Sequence, residues 1–497
     1  MRIVISFLFL VSLAGEFFYL PQLHKISYDL VGKKFFLDYS VCFTRLFGFQ
    51  KVRAKMSQKR NVELFFAIVA VSVITMFLPI QGLSLAGKRA LGVFMFAALC
   101  WITEVIPIAA TGGIVVGLLA FLLPPVLNGV SVRTFYAAFS APVIVLFAGG
   151  YFIAAAVQKY RMDGIFTAWI LRRTGTEPKM VLGGMMFAAA FLSMWMSNTA
   201  TTALMIAVAL PVVRKIKDDP FSVALLLGIP FAANVGGIAT PIGTPPNAIA
   251  IEFLADAGKK ISFGQWFMWG FPITLVMTVI IWYLLRIFFQ PKVKEIKFET
   301  RDIKFTTNHK IVAITFAVTA ILWFTEKLHG VSTSLVAMLP PAVFLITGVL
   351  TRQDIKTSVG WDILILVAGG IALGTGMKVS GLSEWILTTF HLKALSPVVV
   401  ILLFGILSLA LSSFMSHTAA TNLLIPLAIS VGTSVSQVVV MTALVSSCAM
   451  IFPVSTPPNA IAYGSGMIKS SDMNKAGVVI ALIGFILNYV VVQLLVR

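Results

Sequence analysis

Long apolar runs, separated by short polar links, dominate the chain from about residue 61 onward. On the usual criterion of roughly 18 or more apolar residues, they predict about eleven membrane-spanning helices. The predicted spans are 64–79, 89–104, 107–125, 140–157, 221–257, 266–289, 311–326, 332–350, 361–377, 437–468 and 476–495. Two surface helices are expected near 161–173 and 383–391. The pattern predicts an all-α polytopic membrane protein.

Two uncharged stretches are too long for a single crossing. Residues 180–213 would form a helix of about 50 Å, whereas a bilayer core is about 30 Å thick, and residues 397–431 present the same problem. Each stretch carries a polar tripeptide at its middle, SNT at 197–199 and SHT at 416–418. Irregular backbone at membrane depth is tolerated only inside protein or beside a wet cavity. We therefore predict two re-entrant hairpins with these tripeptides at their tips.

The chain also contains an internal repeat. The sequence TPPNAIA occurs at 244–250 and again at 456–462, 212 positions later. The two hairpin tripeptides are displaced by 219 positions, and Ala-Gly-Gly at 148–150 recurs at 368–370 with a displacement of 220. Three matches in the same order indicate a duplication, as is frequent in transporters.

Counting passages gives the relative orientation of the two halves. Each half holds five spans and one hairpin, and an odd number of crossings inverts the second copy. We predict a basic N-terminal extension at 1–60, at the membrane surface or partly disordered, and a first transmembrane helix at 61–88. Inverted repeat 1 follows at 89–290, with its hairpin at 180–213 and its broken helix at 221–257. A cytoplasmic linker at 291–310 leads to inverted repeat 2 at 311–497, with its hairpin at 397–431 and its broken helix at 437–468.

Composition and charge agree with a membrane protein. The chain is 59% hydrophobic and 11% charged, and its mean hydropathy is +0.96. The net charge of +19 arises in connecting segments, which favours positive-inside orientation over nucleic-acid binding. We expect a bacterial inner (plasma) membrane protein with its N-terminus in the cytoplasm and its C-terminus outside. Dispersed cysteines and histidines predict neither a disulfide framework nor a transition-metal site.

Paired prolines at 245–246 and 457–458 mark the broken spans. They remove two amide donors and prevent a continuous helix, so carbonyls before them lose their partners. A bound cation such as sodium could satisfy those oxygens. The half-helix after each break begins with free amides and a positive dipole end, which suits a carboxylate.

These motifs resemble the divalent anion/sodium symporter family, and the resemblance covers nearly the whole chain after residue 60. It implies a carrier of di- and tricarboxylates, such as succinate, malate and fumarate, that works as a homodimer by an elevator-type movement. The implied substrate residues are Asn198, Thr199, Thr244, Pro245, His417, Thr418, Thr456 and Pro457. The implied sodium residues are Ser193, Ser197, Asn198 and Gly243 in one half, and Ser412, Met415, His417 and Ser455 in the other.

His417 departs from the family pattern, which has asparagine there, and a protonated imidazole would repel sodium. Importing a dianion against about 100 mV costs roughly 4.6 kcal/mol, so a cation must accompany it or another anion must leave. An intact first ion site favours sodium symport, with sodium as coupling ion and no other cofactor. Sodium-independent dicarboxylate exchange and transport of sulfate or another divalent anion are the alternatives.

A channel would need a continuous file of ligands. An enzyme is disfavoured because the core lacks paired carboxylates, a metal cluster or a nucleophile with a base.

Overall fold

The apolar runs form helices in a computed structural model that describes residues 58–296, 298, 305–432 and 434–496. Within those residues there is no β-strand, and the predicted all-α fold is confirmed. The helices of the first half are α1 Gln58–Phe77, α2 Leu85–Thr103, α3 Ile108–Leu122, α4 Val132–Tyr136, α5 Pro142–Lys159, α6 Met162–Thr174, α7 Pro178–Ser193, α8 Asn198–Lys215, α9 Pro220–Gly236, α10 Pro245–Asp256 and α11 Phe263–Phe288.

The second half begins after the linker. Its helices are α12 Thr307–Phe324, α13 Glu326–His329, α14 Thr333–Val336, α15 Leu339–Ile346, α16 Arg352–Ser358, α17 Trp361–Val379, α18 Leu382–Thr389, α19 Pro397–Phe414, α20 His417–Ser430, α21 Val435–Ser446, α22 Pro457–Gly464 and α23 Ser470–Leu495. Both overlong stretches consist of two helices, α7 and α8 in the first half and α19 and α20 in the second.

Ten helices in the described residues are long and apolar enough to cross a membrane. The sequence predicted about eleven spans, and the difference lies in the broken ones. The predicted span 332–350 is divided into α14 and α15, with Pro340 at the start of α15, and the span 437–468 is divided into α21 and α22. Neither reaches the length of a single crossing, whereas the hairpin helix α19 does and is counted among the ten.

The chain divides into two units, Met1–Leu64 and Phe65–Arg497. In the first unit the structure describes only residues 58–64, which begin α1. The basic extension predicted at 1–60 therefore lies, up to residue 57, outside the described residues. The second unit contains all the other helices and the candidate site.

Several helix ends meet on one face of the second unit, which we call the linker face. Asp219 at the start of α9 accepts hydrogen bonds from the backbone amides of Lys292 (3.0 Å) and Val293 (2.8 Å) in the linker. The amide of Ile296 donates to the carbonyl of Thr176, just before α7, at 2.8 Å. The beginnings of α7 and α9 and the end of α11 therefore share this face.

The opposite ends of these passages meet on the far face. Lys259, between α10 and α11, donates to the hydroxyl of Ser436 at the start of α21 at 3.0 Å. Helix α11 has 26 residues, so about 39 Å separates this end from its end at the linker face. The broken passage α9–α10 thus runs from the linker face to the far face.

An ion pair on the linker face holds the end of α5. Lys159 Nζ lies 2.7 Å from Asp354 Oδ2 on α16 and donates to the carbonyl of Val349 at 2.8 Å. Asp354 also accepts bonds from the amide and the hydroxyl of Thr351 and so caps α16. The hydrogen bond from Lys159 is the main cause that lowers the pKa of Asp354 from 3.8 to about 2.

We expect Asp354→Asn to lower the melting temperature at pH 7 by about 1–2 °C, because partly exposed ion pairs contribute about 0.5–1 kcal/mol. A carboxylate with a lowered pKa stabilises the fold above its ordinary pKa, and that contribution is lost as the pH falls toward about 2. The difference from the wild type should thus persist from pH 7 to pH 4. Melting in detergent measures it, with the exposed Lys356→Gln on the same helix as control. A difference that vanishes by pH 5 would contradict the assigned pairing.

Candidate functional site

The site is built around two interrupted helices. In the first half α9 ends at Gly236, a short 3₁₀ turn follows at Gly237–Ala239, and α10 begins at Pro245 with prolines at its first two positions. In the second half α21 ends at Ser446 and α22 begins at Pro457 with the same proline pair. Each break leaves carbonyl groups without helical partners on one side and a helix N-terminus on the other.

In each break, the side chain of the asparagine two residues after the first proline donates hydrogen bonds to backbone carbonyls that have no helical partner. Asn247 Nδ2 donates to the carbonyls of Gly237 (2.9 Å), Ile238 (3.3 Å) and Thr240 (2.8 Å). Asn459 has the same role in the second break, and both asparagines are fully buried.

Asn459 Nδ2 donates to the carbonyls of Met450 (3.3 Å) and Phe452 (3.1 Å) and to the hydroxyl of Ser455 (3.3 Å). The protein itself therefore satisfies part of the carbonyls for which the sequence suggested a cation. Both asparagines stood in the repeated TPPNAIA motif, and the sequence interpretation assigned them no role.

The first hairpin tip brings three of the four sodium residues expected in that half together. Asn198 begins α8, and its side-chain amide lies 2.5 Å from Ser193 Oγ, 3.2 Å from the carbonyl oxygen of Gly243 and 3.3 Å from that of Ala233. The amide nitrogen, turned toward these oxygens, donates to all three. Ser197, the fourth expected residue, directly precedes α8. At the first tip, the Asn198 amide therefore contacts a cluster of three oxygen atoms, one from Ser193 and two from the broken helix.

Gly237 makes this approach possible. A Cβ atom at that position would lie 2.6 Å from the nearer end of the Asn198 side-chain amide and 3.1 Å from the carbonyl oxygen of Gly243. A larger residue would push the hairpin tip away from the break.

The second hairpin tip is arranged differently. His417 begins α20, and its Nε2 lies 3.2 Å from the carbonyl oxygen of Ala449. Ala449 is 212 positions after Gly237 and thus occupies the corresponding place in the second break. The histidine ring reaches the break where the asparagine does in the first half, but it lies against an alanine.

The other residues expected in the second ion site are only partly joined to it. Ser455 Oγ donates to the carbonyl of Phe452 at 2.7 Å. Ser412 is fully buried, and its hydroxyl has no hydrogen-bond partner among the described residues. Met415 is buried at the end of α19. No hydrogen bond between described residues joins His417 to Ser412 or Ser455, so this half shows no counterpart of the Ser193–Asn198 contact.

The two halves meet directly at the breaks. Asn234 Nδ2 on α9 donates to Thr456 Oγ1 (3.3 Å) and to Asn459 Oδ1 (3.1 Å), across more than 220 positions of sequence. Helix α8 packs against α22, and α20 packs against α10, so each hairpin tip helix contacts the half-helix beyond the break of the other half. Asn234 is a site residue that the sequence interpretation missed.

The substrate residues expected from the sequence all lie at tips or breaks, with unequal exposure. Thr244, Thr456, His417 and Thr418 are buried, Asn198, Thr199 and Pro245 are half-buried, and Pro457 is exposed. The first tip is therefore more open than the second.

Helix amides supply the positive potential of this region. Among residues 193–201, 233–247, 412–421 and 447–459 there is no Lys, Arg, Asp or Glu. Ser416 caps its own helix by accepting from the amide of Ala419 at 3.2 Å. Ser197, in the corresponding place, makes no side-chain cap bond to α8. The 18-residue helix α8 thus presents uncapped amides and a positive dipole end at the half-buried first tip, which suits an anion.

The central part of the chain matches a known family. Residues 98–449, more than two thirds of the sequence, match the family model of the citrate transporter CitMHS. The chain belongs to this family. It is therefore a membrane transporter and not an enzyme, as the sequence predicted.

The curated relatives of this chain are also named as transporters. It is 32% identical over 461 residues to an uncharacterised transporter of Haemophilus influenzae, covering 88% of this chain and 95% of that one. It is 31% identical to the sodium-dependent dicarboxylate transporter SdcS of Staphylococcus saprophyticus, covering 86% and 90%. Among solved structures, the Alcanivorax borkumensis YdaH transporter aligns with 14% identity over 79% of this chain and 97% of its own, at a TM-score of 0.48, too low for a structural conclusion.

We expect Asn247→Leu and Asn459→Leu each to lower the melting temperature by at least about 4 °C. Each substitution leaves buried carbonyls unpaired, at about 1–3 kcal/mol per group. Asn422→Leu is the control, because that buried asparagine on α20 donates to the carbonyl of Leu366 on α17 (3.1 Å) and not to a break. Melting temperatures in detergent would contradict the proposed pairing of the break carbonyls if they fell no more in the two break variants than in the control.

Proposed function

We propose that the chain carries a small dianion, of the succinate, malate and fumarate class, and that sodium accompanies it. The uncapped N-terminus of α8 carries the proposal, because it offers unpaired amides at a half-buried tip that holds no fixed charge. The helix starts at His417, Pro245 and Pro457 come from both halves and surround the same region. The sodium-dependent dicarboxylate transporters among its relatives support this substrate class.

The oxygen cluster at the first tip supports sodium as the coupling ion. Ser193 Oγ and the carbonyl oxygens of Gly243 and Ala233 all lie within 3.3 Å of one end of the Asn198 amide. Sodium accepts such hydroxyl and carbonyl oxygens in broken-helix transporters. When the cation binds, Asn198 turns its oxygen to the cluster, and its nitrogen becomes free to donate to a carboxylate at the tip. One amide would then link the ion to the anion.

His417 favours a second candidate, sodium-independent exchange of dicarboxylates. Its ring occupies the approach to the second break and contacts the carbonyl of Ala449. The tips and breaks hold no acidic side chain, so only a bound dianion would favour protonation of this buried ring. The protonated ring would then neutralise one substrate charge in place of a sodium ion. Exchange of one dianion for another moves no net charge and needs no cation gradient.

We further propose an elevator-type movement within a homodimer, as the family resemblance implies. The hairpins and broken helices would move against a scaffold that includes α5 and α17, with the surface helices α6 and α18 as connectors. Arg161 (φ 51°) and Gly381 (φ 75°) directly precede these two helices in the left-handed conformation, 220 positions apart. Buried Glu252 on α10 accepts a bond from the amide of Val143 on α5 at 3.2 Å, and this contact would break during the movement.

The orientation follows from charge. The linker face carries most of the basic residues at helix ends. They include Lys159, Arg161, Arg172, Arg173, Lys179, Arg214, Lys215, Lys217, Arg286, Lys292 and Lys294. By the positive-inside rule this face lies in the cytoplasm, which places the end of α23 outside.

We expect Asn198→Ala to weaken the apparent affinity for both succinate and sodium by at least about tenfold. A hydrogen bond to a charged group contributes about 1.5–3 kcal/mol, and the same amide serves both ligands. Uptake of labelled succinate into proteoliposomes, over a range of sodium concentrations, measures both constants. Asn308→Ala is the control, since that asparagine bonds Tyr160 on the linker face. Unchanged sodium dependence in Asn198→Ala would refute the ion assignment.

The pair His417→Asn and Ala449→Gly tests the second half. Together they recreate the Asn198–Gly237 arrangement, and we expect the sodium dependence of uptake to become steeper than in the wild type. His417→Asn alone should do less, because Ala449 keeps a methyl group at the approach. A sodium response identical in all three proteins would remove His417 from the ion site.

Symport and exchange separate in one assay. Empty proteoliposomes receive labelled succinate with and without an inward sodium gradient, and a parallel set is loaded with unlabelled succinate. Uptake that collapses without the gradient supports symport. Uptake that requires internal succinate and ignores sodium establishes exchange, and no uptake of succinate or sulfate in any condition would overturn the dianion proposal.

A further inference from the structure

A crevice on the linker face lies outside the transport site. It has a volume of about 410 Å³ and separates the start of α7 from the end of α11. Its lining residues are Lys179, Tyr283, Arg286, Ile287, Gln290 and Pro291. From this crevice we infer a binding site for the headgroup of an anionic phospholipid of the cytoplasmic leaflet.

Two cations give the crevice its charge. Lys179 is exposed, and Arg286 stacks on the ring of Trp282 with Cζ 4.2 Å from the ring centroid. In the described part of the chain no carboxylate forms an ion pair with either of them. Arg286 Nε is buried and has no hydrogen-bond partner there. A buried guanidinium donor left unpaired favours an acceptor such as a phosphate oxygen.

The crevice is held open by the helices themselves. Trp282 Nε1 donates to the backbone carbonyl of Lys179 at 2.9 Å, which fixes the start of α7 against α11. A Cβ at Gly183, one turn further along α7, would lie 3.2 Å from the same indole nitrogen. The two cations are thus positioned before any ligand arrives.

The apolar lining fits the rest of a lipid. Tyr283 and Ile287 are 58% and 47% exposed on the outer surface of α11, next to Arg286. An aromatic ring beside basic residues at the end of a membrane-spanning helix is typical of the headgroup level. Acyl chains could follow α11 from there, whereas a free phosphate would gain nothing from this surface.

The duplication provides an internal comparison. Val398 occupies the place of Lys179, 219 positions later, and Gln493 occupies the place of Arg286 counted from the start of the 26-residue helices α11 and α23. The corresponding region of the far face therefore lacks both cations. Basic sites on the cytoplasmic side alone match the leaflet in which anionic lipids are concentrated. This step rests on the proposed orientation.

Native mass spectrometry of the full chain in detergent tests the site with palmitoyl-oleoyl phosphatidylglycerol and the matching phosphatidylcholine. We expect the wild type to retain phosphatidylglycerol in preference. Lys179→Gln and Arg286→Gln should each weaken retention by about fivefold and the double variant by about 25-fold. Arg173→Gln is the matched control, because Arg173 stacks on Trp169 at the same 4.2 Å without lining the crevice.

Three results would overturn the inference: equal retention of both lipids, full retention by the double variant, or equal loss in Arg173→Gln. Displacement of the lipid by millimolar glycerol 3-phosphate would also overturn it, because a free anion would then be sufficient. If the double variant does not fold, Lys179→Gln decides, since its exposed side chain makes no contact that holds α7. Lipid retention in detergent is independent of succinate transport and of orientation, so its failure is distinct from failure of the proposed function.

Discussion

A helix that ends at mid-membrane depth leaves backbone groups that water does not reach, and the centre of this structure depends on how they are paired. Asn247 and Asn459 donate to the carbonyls on one side of each break. The amides at the first tip receive no such partner from Ser197. The protein thus pairs part of the acceptors at the breaks and leaves the amide donors at the first tip open, an arrangement that would favour an anion there.

The two halves have matching interruptions but differ in the side chains that lie at them. The two breaks share their prolines and asparagines, and the two hairpins share their serine-led tips. Yet Asn198 lies against Gly237 in the first half, whereas His417 lies against Ala449 in the second. Both residues of this contact differ between the halves: the imidazole of His417 lies 3.2 Å from the carbonyl oxygen of Ala449, which carries a methyl group where Gly237 has none. An ion site in one half therefore does not imply a site in the other.

Much of this fold could be read from the sequence because its signals are local. Stretches longer than the bilayer and paired prolines in apolar surroundings predicted where helices would be interrupted, and the helices are interrupted there, between 193 and 198, 414 and 417, 236 and 245, and 446 and 457. The bonds from Asn234 to Thr456 and Asn459 could not be predicted, since they join positions more than 220 residues apart. The asparagines of the repeated motif were visible, but a donor for carbonyls seven to ten residues upstream appears only once the chain has folded. The division of 332–350 into short helices was also missed, because the whole segment is apolar and its composition therefore predicted one continuous span.

The absence of fixed charge at the tips and breaks constrains any mechanism of transport. Importing a dianion with no counter-charge costs free energy against the membrane potential, and the tips and breaks hold no arginine or lysine that could offset its charge. In the proposed mechanism the amide of Asn198 couples a cation to the anion instead, because it would present oxygen to the cation on one side and nitrogen to the anion on the other. Linkage then requires that sodium strengthen dicarboxylate binding by the same factor by which the dicarboxylate strengthens sodium binding. Coupling would then arise from the rotation of one side chain at the point where the hairpin meets the break.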